Sequence, residues 1–276
     1  METASKGQIC HLILTRFNVR SGGKEAQIRQ DPTWLKTRFD LFEKYCLPSV
    51  KKQSDKSFKW LIFFDLDTPD YFKQKVIQYV ENCDQIVPTY VGEWNSEAVK
   101  SAIASQILPE HRFVLSTRLD NDDAIHIDFI KTLQLASRAC GHDVYLNFPK
   151  GMTYASGVAY SHLDRSNAFI SRMESVSDFH GVWELKHVDI ASTRPIVQLD
   201  LKFAWLQVVH GRNVSNKIRG RILKNIKWID YYPYSVGRES KMVNAKDILG
   251  GYIRTTLQGA LDILIRAGRT IYKKLI

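Results

Sequence analysis

The chain has 276 residues, of which 44% are hydrophobic and 25% are charged. This composition is ordinary for a soluble globular protein with one large domain or two small ones. No stretch approaches the apolar length that spans a bilayer, and the first residues do not resemble a signal peptide. The four cysteines are far apart and lack the paired spacing of metal sites, so we expect free, mostly buried thiols in a cytoplasmic protein.

The net charge of +10 is unevenly distributed. From Lys202 onward there are 15 Lys and Arg against 4 Asp and Glu, so the excess lies in the C-terminal quarter. A basic segment of this kind indicates an anionic partner such as membrane lipid, nucleic acid or a phosphorylated substrate. The alternative interpretation is a basic surface that faces solvent and binds no particular partner.

Strand and helix patterns alternate in the part of the sequence before Gly151. Apolar, partly β-branched runs predict strands at 9–17, 58–64, 85–91, 113–115 and 144–148. Helical periodicity predicts helices between them, at about 32–46, 70–80, 96–107 and 127–135. Because the two kinds of element alternate, we expect an α/β fold with a mostly parallel sheet and helices on both faces.

Single residues predict how some of these helices begin and continue. Asp31, directly before a proline, is expected to cap the first helix, and Ser96 is expected to cap the third. Pro48 is expected to kink or interrupt the first helix, because proline has no backbone N–H to donate.

Beyond Gly151 the pattern is less regular. It predicts a strand at 157–161, a short helix at 164–174, two strands at 183–190 and 195–199 that could form a hairpin, and an apolar segment at 203–209. His210 follows that last segment. A histidine after a buried segment is usually structural, so we expect it to act as a ligand only if the segment returns to the site of the acidic residues.

An acidic segment follows the fourth predicted strand. Asp120, Asp122 and Asp123 come shortly after Arg118. In extended chain the side chains of Asp120 and Asp122 point to the same side, because they are two residues apart. Paired carboxylates suit Mg²⁺ or Mn²⁺, although a solvated Asp/Asn turn has the same composition. Ligands of parallel sheets bind beyond the carboxyl ends of the strands, so polar residues after the first, second and fourth strands should share one crevice.

These residues lie in stretches that resemble the putative rhamnosyltransferase family of bacterial glycosyltransferases. The matching stretches are 14–18, 47–50 with Gln53, 60–65, 117–125 and 205–216. The resemblance covers roughly residues 8–220. It implies a GT-A-like fold over 8–216, followed by a basic, amphipathic, helical C-terminal extension over 217–276.

The resemblance also implies roles for individual residues. Asp120 and Asp122, an Asp-x-Asp motif, would hold a divalent metal (Mn²⁺ or Mg²⁺) that bridges the diphosphate of a nucleotide-diphospho-sugar, with His210 as a further ligand. The nucleotide-sugar pocket would be lined by the residues that follow the first two strands and by part of the acidic segment. These residues are Thr15, Arg16, Asn18, Asp65, Arg118 and Asp120. Arg118 would contact phosphate or neutralise the carboxylates.

An inverting transferase also needs a base for the acceptor hydroxyl. The candidates are Asp178, His180, Glu184, His187 and Asp189. Asp189 is the preferred one, although no motif distinguishes it. The expected acceptor is a glycan or glycolipid, and the implied process is polysaccharide assembly at the inner face of a membrane.

The extension and two alternative functions complete the sequence-based expectations. Residues 247–276 suit an amphipathic helix on an anionic membrane surface or a helix packed on its own domain. A first alternative is a haloacid-dehalogenase-type phosphatase using Asp65 and Asp67 at the end of the second strand. A second is a non-catalytic membrane or nucleic-acid adaptor that uses the basic extension. For the glycosyltransferase we expect no nucleic-acid partner.

Overall fold

The computed structural model describes residues 5–20, 28–29, 31–210, 218–224 and 226–233. The strands are β1 (Ile9–Arg16), β2 (Lys59–Asp65), β3 (Ile86–Val91), β4 (Phe113–Arg118), β5 (Ala124–Ile125), β6 (Val144–Asn147), β7 (Lys150–Ala155), β8 (Val158–Leu163), β9 (Ser171–Ser175), β10 (Ile196–Gln198), β11 (Trp205–Val209) and β12 (Arg221–Ile222). The α-helices are α1 (Pro32–Leu41), α2 (Leu47–Lys51), α3 (Asp70–Glu81), α4 (Ser96–Ala104), α5 (Phe129–Ser137) and α6 (His187–Thr193).

The strands form two sheets. The large sheet has seven strands in the order β10-β6-β9-β4-β1-β2-β3. All neighbouring pairs in it are parallel except the two that β9 makes with β4 and β6. The small sheet has five strands in the order β12-β8-β7-β11-β5. The expected mostly parallel sheet is therefore confirmed, and the small sheet is an addition that the sequence patterns did not predict.

The large sheet is buried on both faces. Alternate residues of β1 pack into two separate apolar clusters, with Ile9 and Ile13 in one and Leu12 and Leu14 in the other. Side chains from α1, α3 and α5 belong to the first cluster, whereas those from α4 and α6 belong to the second. This arrangement explains the continuous apolar runs of the central strands, because neither face of such a strand meets water.

The helix signals were partly correct. Asp31 caps α1, because its carboxylate accepts the backbone N–H groups of Thr33 and Trp34. The cap of α4 is Asn95, one residue before the predicted Ser96, and it accepts from Ala98 N at 2.9 Å. Pro48 does not end its helix. A π-helical turn over Phe42–Cys46 lies between α1 and α2 and shifts the hydrogen bonding just before the proline.

Two predictions between residues 164 and 199 were wrong. The expected helix at 164–174 is a turn followed by β9, because Asp164 and Asn167 engage nearby backbone groups and the following residues pair with β4 and β6. The expected strand at 183–190 is a loop that enters α6. Its proposed hairpin with 195–199 is therefore absent, and β10 instead pairs in parallel with β6.

Residues beyond 217 contribute to the small sheet. β12 pairs with β8, and the fully buried Tyr232 donates its hydroxyl to the Phe203 carbonyl at 2.8 Å. The division at residue 217 remains a prediction, since the amphipathic segment 247–276 lies outside the described residues. Within the described residues no helix has the length and apolar character needed to cross a bilayer. All four cysteines are free and three are buried, as expected.

Gly151 in β7 is required by close packing. A Cβ atom there would lie 2.1 Å from the Trp205 ring, which is buried. Gly151→Ala should therefore lower the free energy of unfolding by about 1–3 kcal/mol, the usual cost of overpacking a core. The measurement is urea denaturation. Gly141→Ala is the matched control, because a Cβ atom there meets nothing within 4 Å. Equal stability of the two variants would contradict this account of the Gly151–Trp205 contact.

Candidate active site

The acidic segment connects the two sheets. It begins after β4 in the large sheet and ends at β5, which pairs antiparallel with β11 in the small sheet. His210 directly follows β11, so this pairing carries it back to the acidic segment. Its Nε2 lies 3.0 Å from Asp122 Oδ2. The condition on which the sequence-based role of His210 depended, a return to the same site, is met.

Asp122 is a buried carboxylate that contacts both His210 and helix α1. Besides His210, the guanidinium of Arg38 on α1 donates to Asp122 Oδ2 at 2.8 Å. The side chains of Asp122 and Arg38 are only 7% and 10% exposed. Because a buried carboxylate is costly unless it is paired, the contact with Arg38 stabilises Asp122 at this position.

Asparagine side chains join the ends of neighbouring strands. Asn121 donates to the carbonyls of Arg16 and Phe17, which connects the acidic segment to the loop after β1. Asn18 in that loop accepts from the backbone N–H of Asp65 at the end of β2, at 3.2 Å. The polar residues after β1, β2 and β4 are therefore in contact, as the parallel sheet predicted.

Asp120 is more accessible than Asp122, with 39% of its side chain exposed. Arg118 contacts both of its oxygens, at 3.0 and 3.2 Å. Partial burial opposes ionisation, but the charge and hydrogen bonds of Arg118, followed by Arg16 and His187, hold the pKa of Asp120 below its ordinary value. Asp120 is therefore an anion that faces solvent at the rim of the site.

His187, at the start of α6, contacts Arg118 from the other side. Its Nδ1 lies 3.1 Å from a guanidinium nitrogen of Arg118. Burial and then the positive charge of Arg118 lower the pKa of His187. Because arginine only donates, Nδ1 must be the acceptor, and the neutral ring then carries its proton on Nε2. His187 thus orients Arg118.

Asp123 carries an oxygen without a hydrogen bond. Its Oδ1 accepts from Val208 N at 2.9 Å, whereas its buried Oδ2 has no hydrogen-bond partner within the described residues. Burial, and then the charges of Asp122 and Asp120, raise the pKa of Asp123 well above its ordinary value. A cation near these three residues would lower the energy of all of them.

A divalent metal fits this region by donor chemistry. Asp120 and Asp122 supply hard carboxylate oxygens and His210 supplies an imidazole, which are ordinary ligands for Mg²⁺ or Mn²⁺. The Asp123 Oδ2 atom, which has no hydrogen-bond partner within the described residues, would be stabilised by a nearby positive charge. However, each of the first two carboxylates accepts from an arginine, and the described residues contain no group of three or more His, Cys, Asp or Glu arranged to hold a metal. A metal and the arginines would therefore compete for the same oxygens.

Two predicted pocket residues are buried supports. The Thr15 hydroxyl is fully buried and accepts from the Trp60 indole N–H at 2.9 Å. Asp65 is 1% exposed and forms an ion pair with Arg29. Both side chains are thus buried and have polar partners, and their predicted contact with the nucleotide stays a prediction. Asn18 is also buried and joins the loops after β1 and β2.

The remaining predicted residues lie at the surface. Arg16 is exposed, with its guanidinium carbon 5.6 Å from the centre of the Trp94 ring. Asp189 is exposed in the first turn of α6, two residues after His187. Arg38 was not predicted as a site residue, because nothing in a helical pattern distinguishes one arginine near the core from any other. His187 was predicted only as one of several possible bases.

The phosphatase alternative loses its nucleophile. Asp65 would have to attack a phosphate, but its carboxylate accepts from Arg29 and from the backbone N–H of Asp67 while almost no surface is exposed. Asp67 itself pairs with Arg20 at 3.1 Å on the surface. These contacts stabilise the loop after β2.

The largely parallel α/β sheet with flanking helices, and the acidic segment that follows β4, agree with the GT-A-like class that the resemblance implied. Within that class, residues 11–222 match the sequence model of a family described as "Putative rhamnosyl transferase". The chain belongs to this family, which is of the glycosyltransferase type.

Solved structures that match part of the chain include S. aureus TarS 1-349 in complex with UDP-GlcNAc, with 14% sequence identity, 74% of this chain and 59% of that chain covered, and a TM-score of 0.44. Another is a putative nucleotide-diphospho-sugar transferase from Desulfovibrio desulfuricans G20, with 13% identity, coverage of 73% and 80%, and a TM-score of 0.36. The chain covers about three fifths of the TarS structure. No curated protein matches the sequence.

Arg38 should be important for stability because of its contact with Asp122. Arg38→Met leaves a buried carboxylate without its guanidinium, which should lower the free energy of unfolding by about 3–5 kcal/mol. Lys36→Met is the control on the same helix. Lys36 pairs with Asp40 at 2.8 Å, but its side chain is 71% exposed, so little change is expected. Chemical denaturation of both variants makes the comparison, and similar stability of the two would contradict the proposed role of Arg38.

Proposed function

We propose that this chain transfers a sugar from a nucleotide-diphospho-sugar donor to a hydroxyl of a glycan or glycolipid, with a divalent metal held at the acidic segment. The observation that supports it most is the contact of Asp122, in the segment that joins the two sheets, with His210, which follows β11, beside the solvent-facing Asp120. Rhamnose is the sugar suggested by the family, and the donor nucleotide is to be identified by experiment.

The charges at the rim suit a diphosphate. Asp120, Asp122 and His210 would hold Mg²⁺ or Mn²⁺, which when bound supplies a Lewis acid for the negative charge of the departing nucleoside diphosphate. Arg118 and the exposed Arg16 provide two guanidinium groups beside Asp120. Guanidinium groups bind phosphate oxygens through paired hydrogen bonds, so both residues are proposed to bind and orient the donor. The neutral His187 fixes the direction of Arg118.

The acceptor hydroxyl needs a group that removes its proton. We assign this role to Asp189, which is exposed near His187 on the rim formed by α6. His187 is the weaker candidate, because its Nδ1 accepts from Arg118 and its Nε2 carries the proton. A glycolipid acceptor would place the protein at the cytoplasmic face of a membrane, with the basic extension toward anionic lipid.

The proposed donor site is tested by substitution of its carboxylates. Asp120→Asn and Asp122→Asn should each reduce nucleotide-sugar turnover by about 100-fold or more, because they remove charge from the group that stabilises the leaving diphosphate. EDTA should abolish turnover in the unaltered protein, and added Mn²⁺ should restore it. The measurement is nucleoside diphosphate release.

The control for this test is Asp40→Asn, an exposed carboxylate on α1 that should leave turnover unchanged. A thermal-shift panel of nucleoside diphosphates, with and without Mn²⁺, identifies the donor nucleotide, because a ligand that binds the native state raises Tm. Full turnover in folded Asp120→Asn and Asp122→Asn proteins would disprove the mechanism. Full turnover in EDTA alone would assign the charge stabilisation to the arginines.

The role of Asp189 has a separate test. Asp189→Asn should lower kcat by about 100-fold or more with little change in the KM for the donor, the signature of a lost general base. Asp178→Asn, which changes another exposed carboxylate preceding α6, should leave kcat unchanged. Steady-state kinetics with a saturating acceptor makes the measurement. An unchanged kcat in Asp189→Asn would exclude Asp189 as the base.

A further inference from the structure

A second site lies at the far end of the small sheet. An open cavity of about 1040 Å³ is formed by the start of β7, the end of β8, the segment before β11 and the start of β12. Its basic and apolar lining residues are Lys150, Lys202, Arg219, Arg221, Phe203 and Leu163. Phe203 comes shortly before β11, whereas His210 directly follows that strand. Five residues of strand separate the two positions by about 17 Å, so the cavity is distinct from the candidate active site.

The cavity has an excess of positive charge. Four of its lining residues are basic and only Asp200 is acidic. Asp200 pairs with Lys150 at 2.6 Å. Within the described part of the chain, Lys202, Arg219 and Arg221 form no ion pair, and all three are exposed. Three uncompensated cations around one concave surface attract an anion carrying more than one charge.

The backbone next to these cations has an unusual conformation at Gly220 and at Phe203. Gly220 has φ +95° and lies so close to β8 that a Cβ atom would be 1.6 Å from the Ser161 carbonyl oxygen. Only glycine allows this approach, which places Arg219 and Arg221 against the sheet. On the opposite wall, Phe203 is held at φ +53°, and the Lys202 ammonium lies 5.1 Å from its ring centre.

The chemistry of the lining indicates the ligand class. Arginine guanidinium groups bind phosphate oxygens in a paired geometry, and two of the three uncompensated cations are arginines. Leu163, with 65% of its surface exposed, offers an apolar contact beside them. We propose that this cavity is a binding site for a phosphate group, either one carried by a lipid or a free phosphate ester. The proposal does not depend on sugar transfer.

The test compares two triple variants of the full chain. Lys202→Gln/Arg219→Gln/Arg221→Gln should raise the Kd for inorganic phosphate by about tenfold or more, because it removes the proposed charge-assisted hydrogen bonds. Lys51→Gln/Lys52→Gln/Lys131→Gln removes the same charge from exposed positions elsewhere. It should change the Kd by less than about twofold. The measurement is isothermal titration calorimetry at physiological ionic strength.

Two further variants separate this site from other effects. Gly220→Ala keeps every charge but displaces Arg219 and Arg221, so a folded Gly220→Ala protein should also bind phosphate more weakly. Gly141→Ala is the control for the glycine change, because a Cβ atom there meets nothing within 4 Å, and it should leave phosphate binding unchanged. The proposal is overturned if the unaltered protein does not bind phosphate, if both triple variants weaken binding equally, or if a folded Gly220→Ala protein binds phosphate as tightly as the unaltered one.

Vesicles distinguish the two sources of phosphate. Phosphatidylcholine vesicles with and without phosphatidic acid are sedimented with the unaltered protein and with both triple variants. Binding that needs phosphatidic acid and is lost only in the cavity triple variant supports a lipid phosphate. Phosphate binding in solution that needs the cavity, without any such difference on vesicles, supports a free phosphate ester. The comparison between triple variants removes the contribution of the basic extension, which both retain.

Discussion

The carboxylate of Asp122 is the contact on which the arrangement of the site depends. It is buried where the two sheets meet, and it is held by Arg38 from a helix of the large sheet and by His210 from the end of a strand of the small one. An ion pair in such a place adds little net stability, but the loss of one partner is costly. The buried Asp122 carboxylate therefore fixes the position of each sheet relative to the acidic segment, because it needs a partner from each side. This is a strong reason for a protein to keep a charge in its interior.

The three carboxylates of the acidic segment differ in how deeply they are buried, and their partners differ accordingly. Asp120 is at the rim, and Arg118 keeps it ionised. Asp122 is deeper and needs a buried arginine. Asp123 is deepest, with one oxygen on a backbone N–H and the other without a hydrogen-bond partner in the described part of the chain, and its pKa is raised. Asp120 is thus held as an anion by Arg118, whereas Asp123 favours its neutral form.

The parts of the fold that local sequence determines were predicted, and those that distant pairing determines were not. The strands β1, β2 and β4 are apolar because both faces are buried, and their ends place polar residues at one edge of the sheet. By contrast, residues 171–175 could satisfy a helical pattern equally well, and only pairing with β4 and β6 makes them a strand. The prediction that His210 joins the acidic residues rested on the resemblance to a family motif. Its physical cause, the antiparallel pairing of β5 with β11, involves a two-residue strand that no periodicity reveals.

The uneven charge of the sequence has a structural counterpart in the small sheet. The carboxylates of the acidic segment lie beside the last residues of β11, and three cations that form no ion pair within the described residues lie before its other end. If the two groups were adjacent they would neutralise each other, and neither would be available to a ligand. Over the length of this strand, about 17 Å, the separation exceeds the distance of about 8 Å at which physiological salt screens exposed charges. The two proposed sites are therefore far enough apart for ligands of opposite charge to bind without weakening each other.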